Sequence, residues 1–172
     1  MKIILLDRNY MMVFAWQKYF NEECNVEIVT NTIENYLNKN KVDALVTPGN
    51  SYGVMTGGFD LGVRNYFGID LEYRVQKYID TKLNCKQKVG TSFIIDGGKN
   101  NIEVIYTPTM EEPSEISDLN IVYESTISSL KLAKECKLET IVLPAFGGAT
   151  GKVNFFKIAE LMFKAYKDFL KE

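Results

Sequence analysis

Histidine is absent from the chain. Its absence excludes an imidazole base, an imidazole metal ligand and any Ser-His-Asp arrangement. Cysteine is scarce. Cys24, Cys85 and Cys136 are odd in number, far apart and in no CxxC pair. That argues against a disulfide framework and against a zinc knuckle, and leaves a reducing, cytoplasmic setting as the expectation. Long apolar runs are missing too. The amino end, "MKIILLDRNY", carries only four consecutive apolar residues before Asp7, too few for a signal peptide or a membrane span. Nor is there an excess of one charge: the net charge is −2 and the isoelectric point is about 5.4. Binding to nucleic acid by bulk charge alone is not expected, although a local patch stays open.

What is present fits one domain over residues 1–172, 46% hydrophobic and 24% charged, with ten tyrosines and ten phenylalanines to fill a core. Apolar periodicity predicts strands over 2–7, 26–30, 41–47, 88–95, 102–109 and 139–145. Helices are predicted over 9–20, 32–39, 60–68, 70–83, 119–136 and 154–170. The first helix is read with Tyr10, Val13, Trp16 or Gln17, and Phe20 on its inner stripe. "GGKNN" reads as a hairpin turn joining the fourth and fifth strands. Strand–helix alternation interrupted by one strand pair implies a single-domain three-layer α/β/α sandwich with a mixed central sheet. The polar segment 108–118 is expected to be a mobile surface loop, with helix caps at Ser117 or Asp118.

Two stretches stand out. "TPGNSYGVMTGG" follows one buried strand, and "AFGGATGKVN" follows another. Each opens into a helix, so each lies beyond the carboxyl end of a strand, where open α/β sheets place ligands. Glycine lets backbone approach a ligand closely, and amides at a helix start favour an anion; two such loops facing one cleft suit a diphosphate. Neither loop has Walker A spacing, and no GxGxxG follows the first strand. Several residues carry two readings. Asn50 can hold a ribose hydroxyl or pin its own loop. Asp60 can cap a helix or orient a ribose or a water. Phe146 can stack on a sugar or a base, or fill the core. Lys152 can face phosphate or solvent. Arg64, one helical turn past Asp60, is placed to pair with it.

"VDALVTPGNSYGVMTGGFDLGVRNYFG" and "TIVLPAFGGATGKV", with "VGTSFIID" and "VIYTPTM" between them, resemble the macrodomain family of ADP-ribose-binding α/β modules over about residues 24–170. The amino-terminal "IILLDRNYMMVFAWQKYF" is similar to a divergent branch found in phages, bacteria and large viruses. The resemblance implies that Asn50 contacts the distal ribose and that Gly57 and Gly58, with Phe59 beside them, run along the diphosphate and that ribose. It implies that the loop carrying Phe146, Gly147, Gly148, Ala149, Thr150 and Gly151 cradles the diphosphate from the other side. The adenine reader corresponds to Asn31, where the family has an aspartate in a "GDIT" pattern. In hydrolytic members an aspartate matched by Asp60 acts on water while the asparagine matched by Asn50 holds the ribose. Two further positions depart from the family: Arg64 replaces a histidine, and Ala149 or Thr150 replaces a loop aromatic.

The expected ligand is thus ADP-ribose or ADP-ribosylated protein, bound with no metal and no cofactor, with Asp60 and Asn50 the catalytic pair if a terminal-ribose derivative is hydrolysed. The alternatives are a non-catalytic reader of ADP-ribosylated protein and an interaction protein with a decayed pocket.

Overall fold

The strands of this chain are apolar without alternation, which is what burial on both faces of a sheet requires. In the computed structural model, which describes residues 1–172, the elements run β1 (Lys2–Asp7), α1 (Tyr10–Phe20), β2 (Val26–Thr30), α2 (Ile33–Leu37), β3 (Ala44–Thr47), α3 (Gly58–Phe67), α4 (Ile69–Lys82), β4 (Phe93–Asp96), β5 (Glu103–Tyr106), α5 (Asn120–Glu135), β6 (Thr140–Leu143) and α6 (Phe155–Phe169). The six strands form one sheet in the order β2-β1-β6-β3-β5-β4. All neighbours are parallel except β4, which pairs antiparallel with β5 across the "GGKNN" turn. The sheet is therefore mixed, as expected.

Successive side chains along a strand point to opposite faces. Ile3, Leu5, Ala44, Val46, Ile141 and Leu143 join α1, α5 and α6 in one core. Their neighbours Ile4, Leu6, Leu45 and Val142 join α2, α3 and α4 in the other. Helices thus cover both faces, completing three layers. No helix is long and apolar enough to cross a membrane.

The differences from expectation have local causes. On α1 the inner stripe is Met12, Val13, Trp16 and Phe20, whereas Tyr10, at the first helical position, is 77% exposed. The stretch 88–92 is not strand: Gly90 has φ +77, Thr91 turns back onto the Lys88 carbonyl, and the Gly90 amide donates to Pro108 instead of a ladder partner. Strand β3 starts at Ala44, later than the expected 41, and the Asp43 carboxylate just before it accepts the amides of Glu139 and Thr140. Asn154 caps the amino end of α6, accepting from the Phe156 and Lys157 amides. At the start of α5 the cap position is Leu119, and Asp118 just before it accepts the Asn120 amide.

Candidate functional site

Strands β3 and β6 are neighbours and parallel, so their carboxyl ends lie side by side. The two glycine-rich loops leave from those ends and face each other. Between them lies a cleft of about 120 Å³ lined by both.

The first loop is tied down by side chains. Thr47 and Tyr106 are register partners on β3 and β5. The Tyr106 hydroxyl accepts from the Asn50 amide at 3.0 Å and donates to the Asn50 carbonyl at 2.9 Å. Its ring lies so close to the loop that a Cβ on Gly49 would fall 2.0 Å from it, so position 49 admits only glycine. The buried Asn50 side chain turns back on its own loop. Its Oδ1 accepts from the Tyr52 and Val54 amides at 3.1 and 3.2 Å, and its Nδ2 donates to the Val54 carbonyl at 2.7 Å. Both lone pairs and one amide hydrogen are thereby used, leaving one N–H. Of the two readings of Asn50, the loop-pinning one describes what its side chain does here. Glu72 of α4 accepts from the Met55 amide at 2.9 Å and fixes the far end of the loop.

Helix α3 begins at Gly58, which has φ +56 and stands where a Cβ would come 3.2 Å from the Ala149 methyl of the other loop. The loops therefore almost touch, and the cleft is narrow. Asp60 sits in the first turn of α3, buried against β3, where it accepts a hydrogen bond from the Thr47 hydroxyl. Burial pushes its carboxyl up to about 8, helped by the nearby Glu72 charge and opposed by the Thr47 bond. It is not the cap of α3, whose cap position is Gly57. The expected Asp60–Arg64 pair does not form. Arg64 Nε instead meets Glu72 Oε2 at 3.0 Å, because Asp60 faces the sheet while the turn at Gly68 folds α4 back beside Arg64.

The second loop is tied mainly by backbone. Val153 donates to the Gly147 carbonyl and Lys152 to that of Ala149. Gly147 has φ +83. Ile116 packs beneath the loop, so close that a Cβ on Gly151 would come 2.7 Å from its Cδ1. Lys152 extends outward and pairs with Glu115, which favours its solvent-facing reading. Phe146 corrects the expectation of a stacking platform: its side chain is fully buried in the core shared by α1, α5 and α6, because it points inward from the strand end.

Phe59, Gly57, Gly58, Asn50 and Asp60 line the cleft from one side, and Gly147, Gly148, Ala149, Thr150 and Gly151 from the other. Asn31 is not brought to it. It follows β2, two strands away from β6, and its Oδ1 accepts the Thr32 amide. The amides of Gly58, Phe59, Asp60, Ala149, Thr150 and Gly151 donate to no group within the protein. Six donors from two loops, three at a helix N-terminus, make this a cleft suited to an anion. Thr47, Tyr106 and Glu72 had no sequence signal. Only the β3–β5 register and the α3–α4 turn bring them to the loop. The segment expected to be a mobile surface loop, 108–118, runs between the loops and bonds to each: Ser51 donates to the Met110 and Glu111 carbonyls, and Ile116 to the Gly151 carbonyl.

A sequence profile of the family described as Macro domain matches residues 46–162, covering both loops and the strands that carry them. A protein of Aquifex aeolicus, uncharacterised, is 30% identical over 129 residues, 74% of either chain. An uncharacterised protein of Aeropyrum pernix is 29% identical over 124 residues, 72% of this chain but only 62% of the relative's own length. In structure, a single-residue variant of the Oceanobacillus iheyensis macrodomain with ADPR is similar, with a TM-score of 0.69 at 18% identity over 77% of this chain and 73% of that one. At that identity the likeness speaks for the fold. The profile match over most of the chain goes further: this protein belongs to the Macro domain family.

Proposed function

We propose that the protein binds ADP-ribose, free or attached to a protein, in the cleft between its two glycine-rich loops. The observation that carries this reading is the pair of loops at the carboxyl ends of β3 and β6, converging with six amides that have no partner in the protein. A diphosphate takes up those donors from both sides at once. The terminal ribose then lies toward Asn50 and Asp60, with the remaining N–H of Asn50 for its hydroxyls, and the adenine lies toward Asn31. Family membership and the ADPR complex of the Oceanobacillus iheyensis macrodomain support the same ligand. Calorimetric titration with ADP-ribose tests it on the wild type and on Gly58→Val, whose side chain fills the gap to Ala149. Heat in the wild type and none in a folded Gly58→Val is expected. No heat in the wild type sinks the proposal.

One observation favours a second reading, slow hydrolysis at the terminal ribose. Asp60 lines the cleft and titrates near pH 8. In its ionised form it takes a proton from water as the water oxygen bonds to the anomeric carbon. The bond to the attached group breaks, and that proton leaves on the departing group. Below pH 8 the carboxyl is protonated and a poor base. Product release from ADP-ribosylated protein therefore rises with pH through about 8. A flat profile removes Asp60 as the base, and no product at any pH leaves a reader without turnover.

A further inference from the structure

Beside the cleft lies a second, wider cavity of about 620 Å³. The two share Thr109 and Met110, so they adjoin at the exit of β5, on the side of the sheet away from β2. Its far wall is the start of α5 and its near wall is the segment 110–118. Its floor holds Ser51 and Gln87, both buried. Gln87 donates through Nε2 to the Thr91 and Tyr106 carbonyls, and its Oε1 has no donor. Ser51 Oγ is likewise unpartnered. Only three buried side-chain polar atoms in the whole protein lack a partner, and two belong to this floor. Both atoms have almost no accessible surface, so they lie beneath the cavity wall and make the floor polar without opening onto it.

The size of the cavity and its place beside the cleft suit a group carried by the cleft's ligand, and its charge narrows which group that is. Glu111, Glu115, Asp118 and Glu124 face only Lys86 and Lys88 within the lining. Lys86 is already paired with Glu111, and Lys152 reaches Glu115 from outside. The segment from Glu111 to Asp118 carries four carboxylates and no cation. A nucleic-acid strand brings a phosphate with every nucleotide and is repelled by such a wall. A peptide with neutral or basic side chains is not.

We infer that this cavity receives the group attached to the terminal ribose of ADP-ribose, and that this group is a peptide segment rather than a nucleic acid. The inference rests on the proposed orientation of ADP-ribose in the cleft, with the ribose toward Asn50 and Asp60. The protein then recognises modified protein through two joined sites, one for the nucleotide and one for the chain that bears it.

Three ligands test this by calorimetry: ADP-ribose, ADP-ribose joined by a non-hydrolysable linkage at its terminal ribose to a lysine-flanked serine peptide, and the same group on single-stranded DNA. The peptide conjugate is expected to bind about tenfold more tightly than ADP-ribose, and the DNA conjugate more weakly. Ser117→Trp, an exposed position on the cavity wall, removes the peptide gain and leaves ADP-ribose affinity unchanged. Glu124→Lys reduces the gain and narrows the difference between the conjugates. If ADP-ribose binds and the peptide conjugate is no tighter, this inference falls alone. It also falls if the DNA conjugate is the tighter, or if Ser117→Trp keeps the gain. If ADP-ribose itself does not bind, the reading of the cleft falls and takes this one with it.

Discussion

The two loops of the cleft are alike in sequence and unlike in construction. Beyond its backbone bonds to residues 107–111, the first is held by side chains from three other elements: Tyr106 of β5, Glu72 of α4 and, through Asp60, Thr47 of β3. The second is held by its own carbonyls and by Ile116 beneath it. A loop held by side chains has single points of failure, each a named residue. A loop held by backbone is sensitive to its glycines and indifferent to the residues that decorate it.

That contrast can be broken most severely at Gly49. A methyl there overlaps the Tyr106 ring, and ring and loop must separate. Gly49→Ala is expected to cost on the order of 3 kcal/mol, seen as a lower midpoint in urea unfolding. Unchanged stability would mean that the ring is free to move. The next effect depends on pH. The folded-state pKa of Asp60, about 8, lies above the ordinary aspartate value of 3.8, so folding favours the protonated form. Between those values the unfolded chain holds fewer protons, and stability falls as pH rises, at about 1 kcal/mol per pH unit. Below the window both states are protonated and the contribution is complete; above about pH 8 it is lost. Asp60→Asn removes this slope, so its melting temperature gains on the wild type steadily from pH 5 to pH 8. Parallel curves would refute the assignment.

A milder test is Tyr106→Phe, which keeps the ring and removes both bonds to the Asn50 backbone. An amide buried without a partner costs about 1–3 kcal/mol, and ADP-ribose affinity should fall with it because the first loop loosens. The smallest effect is expected at the second loop. Lys152→Ala removes an exposed ion pair with Glu115 and should leave both melting temperature and ADP-ribose affinity within error. A large loss there would show that the second loop, too, depends on a side chain.

The architecture was legible in the sequence because a sheet buried on both faces writes itself as unbroken apolar runs, each followed by an amphipathic helix. The loops were legible because glycine marks where backbone must turn or approach. What supports the first loop was not. Thr47 and Tyr106 meet through strand register across 59 positions of sequence, and no local pattern encodes that. The Arg64 expectation erred for the same reason. Spacing along one helix suggested Asp60, whereas a turn at Gly68 with φ +100 delivered Glu72 from the next helix. Phe146 was ambiguous because an aromatic residue at a strand end serves core and cleft equally well until the direction of its side chain is known.

The segment between β5 and α5 is the one stretch of chain that bonds to both loops, at Ser51 and at Gly151. Its consequence is entropic. Two separate surface loops would each surrender conformational freedom when a ligand bridged them. Here one tether sets their spacing when the protein folds, so the ordering is complete before the ligand arrives and less affinity is spent on it. Lengthening that tether with a few flexible residues, without touching any residue of the cleft, would move the cost back to the binding step.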